Sequence, residues 1–246
     1  MSTTYVRMEI FRTFRNTRFV LFAIAFPVLL FLLQATVFVN TDAADHAQVA
    51  AVLMVNMMAF GTISGAMSVG GRLAFERAAG WQRQLRLTPL SGPGYLAGKA
   101  ISGMLVTLPP LLLVPLVAVL FQGVRVDAAG WLHIVLGIWL GAIPFVLLGL
   151  LLGQFGTADS MQPVNMVVTM GMGFLGGLWI PIESMPGWLH TVSQAMPSYW
   201  LIQIARPVVT SDLTTGFGTA AGVLAIFGLV FGVAMIRRYR KDSARV

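Results

Sequence analysis

Few side chains in this sequence are spaced to carry chemistry. His46, His133 and His190 stand far apart, there is no cysteine, and no HExxH pattern occurs, so no metal-ligand spacing is present. Gly94-Tyr95-Leu96-Ala97-Gly98-Lys99-Ala100 approaches a phosphate cradle. It has three residues between its glycines where GxxxxGK[ST] has four, and Ala100 stands where a magnesium-binding hydroxyl is needed. Ser64 and Ser102 lie in no GxSxG setting and suit helix contacts instead. Met57, Met58, Met166, Met170 and Met172 fall within apolar runs, where thioethers serve as adaptable packing rather than soft-metal ligands. What is left is a charged stretch, Arg72 to Lys99, carrying Glu76, Arg77, Arg83, Arg86 and Lys99. Leu73 to Leu87 has helical character, and Thr88-Pro89 and Gly92-Pro93-Gly94 end it. Such a segment suits docking to a cytoplasmic partner. A solvated loop that only orients its neighbours is the alternative.

The elements around this stretch follow from composition. Of 246 residues, 57% are apolar and 10% charged, and mean hydropathy is +0.81. Soluble domains carry about 25% charged residues, so a soluble globular enzyme, a disordered tail and a disulfide scaffold are excluded. A membrane-crossing helix needs about 20 mostly apolar residues. Six windows without acidic or basic side chains meet this: 19–39, 49–69, 101–121, 131–155, 164–182 and 217–236. Runs such as VLLFLL do not alternate as barrel strands must. The expected fold is an all-α integral membrane domain of six transmembrane helices occupying residues 1–246. The first window is too long for a signal-peptide core.

Basic residues orient the bundle. Four precede the first window, five lie between the second and third, and five follow the sixth; only Arg125 and Arg206 fall on the other side. Positive charge is retained on the cytoplasmic side, so both termini are expected there. The net charge of +7 reads as topology and attraction to anionic membrane lipid. Base-reading groups for nucleic acid are lacking. Residues 1–18 carry Val6, Ile10 and Phe14 beside Arg7, Arg15 and Arg18, which predicts a short interfacial helix. Residues 237–246 form a basic tail. The external stretch 183–213 has helical pieces too short to span, interrupted at Pro197, and predicts re-entrant half-helices with Glu183 at their entrance.

Within the windows, what is missing is informative. Ion-coupled carriers place charged side chains at mid-membrane, and none of the six windows holds one. Energy for any transport is therefore expected from another subunit. Gly61, Gly65, Ser68, Gly137, Gly141, Gly171, Gly173, Gly176 and Gly177 suit close helix approach, and Pro27, Pro109, Pro110, Pro115 and Pro144 can kink helices. Six spans are few to enclose a pathway, so two bundles about a two-fold axis are expected.

Two motifs carry a resemblance. The run Glu76-Arg77-Ala78-Ala79-Gly80-Trp81-Gln82-Arg83-Gln84-Leu85-Arg86-Leu87-Thr88-Pro89-Leu90-Ser91 is similar to an ExxxGxxxxLxxTPxS coupling-helix pattern. Gly177, Pro181, Met185, Pro186, Trp188, Leu189 and Pro197 resemble the GxxxPxxxxPxWLxxxxxxxP pattern ahead of a last span. The chain thus resembles, over nearly its whole length, a permease subunit of the ABC-2 type of ATP-binding-cassette exporters, the group of daunorubicin-type and nodulation-factor exporters. The resemblance implies two permeases, identical or paralogous, and two cytoplasmic ATPase subunits. ATP and magnesium would sit on those partners, with no cofactor and no catalysis on this chain. It implies ATPase coupling through Glu76, Arg77, Gly80, Arg83, Leu85, Thr88 and Pro89 in the loop 72–98. An external gate would use Pro181, Glu183, Pro186, Trp188 and Pro197. The path between bundles is expected along spans two and five. An uncharged path favours an amphipathic drug, antibiotic or lipid-like substrate. Polysaccharide or glycolipid export, and a membrane anchor or sensor recruiting a cytoplasmic protein, are the alternatives. Arginine outnumbers lysine 14 to 2, which points to a GC-rich bacterial genome. The expected location is the bacterial cytoplasmic membrane.

Overall fold

A computed structural model describes residues 8, 17–38, 43–80, 92–179, 185–210 and 216–243. All regular structure among them is helical. In chain order the helices are α1 (Thr17–Phe38), α2 (Ala43–Ala78), α3 (Gly92–Val106), α4 (Leu108–Gln122) and α5 (Ala128–Gly141). Then follow α6 (Ile143–Phe155), α7 (Met161–Leu175), α8 (Gly187–Gln194), α9 (Pro197–Thr210) and α10 (Phe217–Ser243). Among the described residues, four stretches are long and apolar enough to cross a membrane: His46–Ala78, Gly94–Gln122, Ala128–Phe155 and Phe217–Lys241. They contain four of the six expected windows. The windows 19–39 and 164–182 fall on α1 and α7; α7 has 15 helical residues, and residues 180–184 lie outside the described set. The interfacial helix expected over 1–18 also lies outside it, apart from Met8, Thr17 and Arg18. Arg237 to Lys241 of the expected tail continue α10 as helix.

The bundle is built around α2. Its most apolar window is 83% buried, against 17% for α10, so α2 is the axis and α10 an outer helix. A helix apolar on all sides must be enclosed on all sides. Met54, Met57, Met58, Ile63, Ala66 and Met67 accordingly have 1% exposure or less, and α1, α4, α6, α7 and α9 pack around them. Span two thus faces its own chain over most of its length. On α7, by contrast, Met166, Val167 and Phe174 stay exposed.

The closest approach joins α2 to α6. A side chain at Gly153 would collide with the backbone of Gly70, and one at Gly70 with the carbonyl of Gly149. Small residues of this kind let helix backbones touch, gaining dispersion contact without side-chain entropy cost. The upper end of the bundle, where α4 passes into α5, is closed by local chain chemistry. Gly123 at φ 65° ends α4 with its N–H on Ala118 O, and the Asp127 carboxylate accepts from Gly130 N at 3.2 Å to start α5.

Two of the long stretches are interrupted midway. Between α3 and α4 the chain turns at Thr107, and Pro109 and Pro110 lack the N–H groups that would continue the ladder. Between α5 and α6 it turns at Ala142, two residues before Pro144. Pro27 and Pro115 lie inside unbroken helices instead.

Candidate functional site

Among the described residues of the expected coupling stretch, Glu76, Arg77 and Lys99 come together at the lower end of the bundle, where α2 finishes and α3 begins. The helix of span two runs on through Ala78, so Glu76 and Arg77 belong to its last turns rather than to a separate loop helix. At the other side, α3 already starts at Gly92. Gly80 takes φ 70°, a left-handed conformation that suits glycine and turns the chain off α2. Arg83, Leu85, Thr88 and Pro89 lie outside the described residues.

Glu76 is 3% exposed. Its Oε1 receives a 2.6 Å ion pair from Lys99 Nζ, and its Oε2 accepts from Tyr95 Oη at 2.8 Å. Lys99 has no exposed surface and Tyr95 only 3%. The two lie four residues apart on α3 and so share one face, with the Lys99 ammonium 5.7 Å from the Tyr95 ring centroid. A buried carboxylate is tolerated where both oxygens are paired, as here. Arg77 turns the other way. Its guanidinium donates to the carbonyls of Gly153, at 3.3 Å, and Gln154, which are among the last carbonyls of α6. Those carbonyls lack helical donors, and a cation there also meets the negative end of the helix dipole. Consecutive residues of α2 thus grip two different helices.

The same end is closed by α10. Arg238 lies over the Phe155 ring at 4.7 Å, and Tyr239 packs where a side chain at Gly92 would stand. Lys99 and Tyr95 were not expected here: Lys99 reads as one more topogenic charge. The available signal was the four-residue spacing of Tyr95 and Lys99, which puts phenol and ammonium on one helix face.

Of the expected external gate, Pro181 and Glu183 lie outside the described residues. Pro186 caps α8 and Pro197 opens α9, both helices too short to span. Trp188 is 70% exposed. Trp200 Nε1 donates to Gln194 O at 2.8 Å, and Ser198 Oγ to Met172 O at 2.9 Å, which pins α9 to the ends of α8 and α7. The structure therefore groups Pro186, Trp188 and Pro197 in a region separate from the Glu76 cluster.

A third feature lies where α1, α2 and the end of α7 meet. Phe60 packs against Phe26 and Trp179 at centroid distances of 5.9 and 5.2 Å, and Phe174 against Trp179 at 4.6 Å. Gln34 donates to Trp179 O at 3.5 Å, while Gln34 Oε1 and Trp179 Nε1 are buried without a hydrogen-bond partner. Among the described residues no group of three or more His, Asp or Glu side chains could hold a metal ion. His46 bonds Gln122 and His133 bonds Ile204 O, both as helix ties.

A helical bundle with several long, apolar stretches is a multi-pass membrane protein. The ABC-2 type transporter family matches residues 3–210, and the chain belongs to that family. A Bacillus subtilis (strain 168) protein named as a transport permease, YvfS, is 30% identical over 192 residues, covering 78% of each chain. The chain is therefore a transporter membrane subunit, of a family whose transmembrane subunit is not itself catalytic.

Proposed function

We propose that this chain is the permease of an ATP-driven exporter in the bacterial cytoplasmic membrane, moving an amphipathic drug, antibiotic or lipid-like molecule outward. In this reading the bundle crosses six times with both termini in the cytoplasm, so the lower end faces the cytoplasm. Two permease copies pair, and each receives a cytoplasmic ATPase subunit that holds ATP and magnesium. The observation that carries the reading is the double grip of Glu76 and Arg77 immediately before residues 81–91. A push on that segment is delivered to α3 and α6 at once. Arg83 and Leu85 then contact the ATPase, Thr88-Pro89 ends the docking helix, and Gly80 sets its angle. Pro181, Glu183, Pro186, Trp188 and Pro197 serve the external gate.

The aromatic cluster of Phe26, Phe60, Phe174 and Trp179 supports an amphipathic substrate. Rings supply apolar contact, and the unpartnered Gln34 acceptor and Trp179 donor suit a few polar groups. The test is purification of the tagged chain from its native membrane in mild detergent. Recovery of an ATPase in equal amount, lost in Arg83→Glu/Arg86→Glu, is expected. Recovery of the chain alone, or with a non-ATPase partner, would replace the exporter reading with that of an anchor or sensor.

A further inference from the structure

The two mid-helix breaks are neighbours. Met104 O, just before the first, accepts from Thr107 Oγ1 at 2.6 Å and from Thr107 N at 3.2 Å. It also accepts from Trp139 Nε1 at 3.1 Å, and Trp139 stands just before the second break. A Cβ on Gly103 would lie 2.9 Å from Val146, which confirms that the breaks adjoin. The axis helix passes at the same level. Gly65 of α2 lies against Val106 O and Thr107, and Gly61 against Pro110.

Below this layer α2, α3 and α6 are fastened to one another. Glu76 holds α3 through Lys99 and Tyr95, Arg77 holds the end of α6, and the Gly70, Gly149 and Gly153 backbones interlock. Parting a buried ion pair of this kind is strongly unfavourable. Bending at Thr107 or Ala142 disrupts few i to i−4 hydrogen bonds, because Pro109, Pro110 and Pro144 have already removed some. Deformation therefore concentrates at the breaks.

We propose that the lower half of α2, with α3 and α6, forms one rigid lever that rocks against α4 and α5. Its hinge layer is Thr107 and Ala142, with α2 bearing on Gly61 and Gly65. Lys99 and Trp139 are positioning residues: Lys99 keeps α3 on the lever, and Trp139 keeps the two breaks in step. Rocking also reshapes an apolar groove of about 670 Å³, since Leu140, Gly141, Ile143 and Pro144 on either side of the second break line it opposite α10. The motion's coupling to ATP rests on the function proposed above; the lever and hinge do not.

The cysteine-free sequence permits spin-label distance measurements on introduced cysteine pairs. Ala97, Leu120, Leu132 and Phe155 are exposed and serve as label sites. Pair Ala97–Phe155 lies within the lever; Ala97–Leu120 and Phe155–Leu132 each cross the hinge. In nanodiscs, the full chain should give a narrow distribution for the first pair and broad ones for the other two. Trp139→Phe should uncouple the two cross-hinge distributions while the first stays narrow. In complex with the ATPase, ATP and vanadate should shift only the cross-hinge pairs. A shift or broadening of Ala97–Phe155 overturns the rigid lever, and narrow, static cross-hinge pairs overturn the hinge. Broad cross-hinge pairs that ignore nucleotide leave lever and hinge standing and overturn the ATP-driven reading.

Discussion

Lys99→Met is the sharpest perturbation of the lower cluster. The 2.6 Å contact with Glu76 corresponds to about 6 kcal/mol of direct attraction at an effective dielectric of about 20. Much of that is offset by the cost of taking both ions out of water, yet removing one partner from a buried pair typically costs about 3–5 kcal/mol. For a chain of this size each kcal/mol moves the melting point by about 2–4 °C, so Lys99→Met should lower it by about 6–20 °C. Glu76→Gln, which leaves Tyr95 an acceptor but the Lys99 ammonium without its carboxylate, should lower it similarly. The double variant Glu76→Gln/Lys99→Met removes both charges and keeps that acceptor. It should recover at least half of either single loss, because apolar substitution of a whole buried pair is often near neutral. The assay is thermal unfolding in one detergent, read by intrinsic fluorescence and by loss of the monodisperse peak. Single losses below about 1 kcal/mol, or a double variant equal to the sum of the singles, would refute the buried-pair reasoning.

Three further perturbations test other links. Gly153→Val drives a branched side chain into the Gly70 backbone, which cannot step aside. It should cost at least the roughly 1–3 kcal/mol of ordinary overpacking, seen as lower yield of folded protein. Asp127→Ala removes the α5 cap and should cost about 1 kcal/mol in the same melting assay, whereas Asp127→Asn should cost little. If two copies pair along the exposed α7 face, Val167→Cys should give an oxidant-dependent dimer on denaturing gels, and the buried-position control Ala66→Cys on α2 should not.

The membrane-spanning stretches were legible because the bilayer dictates their length, and a run of about 20 residues without charge leaves few alternatives. The breaks were only half legible. Pro109, Pro110 and Pro144 do interrupt their helices, while Pro27 packs against Gly61 inside a continuous α1. Local sequence records the missing N–H; whether neighbours hold the helix straight depends on packing. Glycines divide in the same way. Gly141 receives Leu201 and Gly137 receives Ile204, yet nothing lies within 4 Å of a Cβ on Gly171.

The least legible residue was Lys99, and the reason bears on mechanism. Counting basic residues treats each as a solvated charge outside the membrane, which Lys99 is not. Its partner stands 23 residues earlier, across the segment proposed for docking, so no helix-periodic rule could join them. The pair joins the two helices that flank that segment, Glu76 on α2 and Lys99 on α3. In the proposed coupling, a load on that segment reaches α2 and α3 through the pair and α6 through Arg77. A buried ion pair is a poor device for stability alone, since apolar residues would serve as well. In the proposed exporter, where the adjoining segment receives the ATPase, it fixes register between helices that otherwise meet through interchangeable apolar contacts. The position of Lys99 therefore makes mechanical sense where its energetics alone would not.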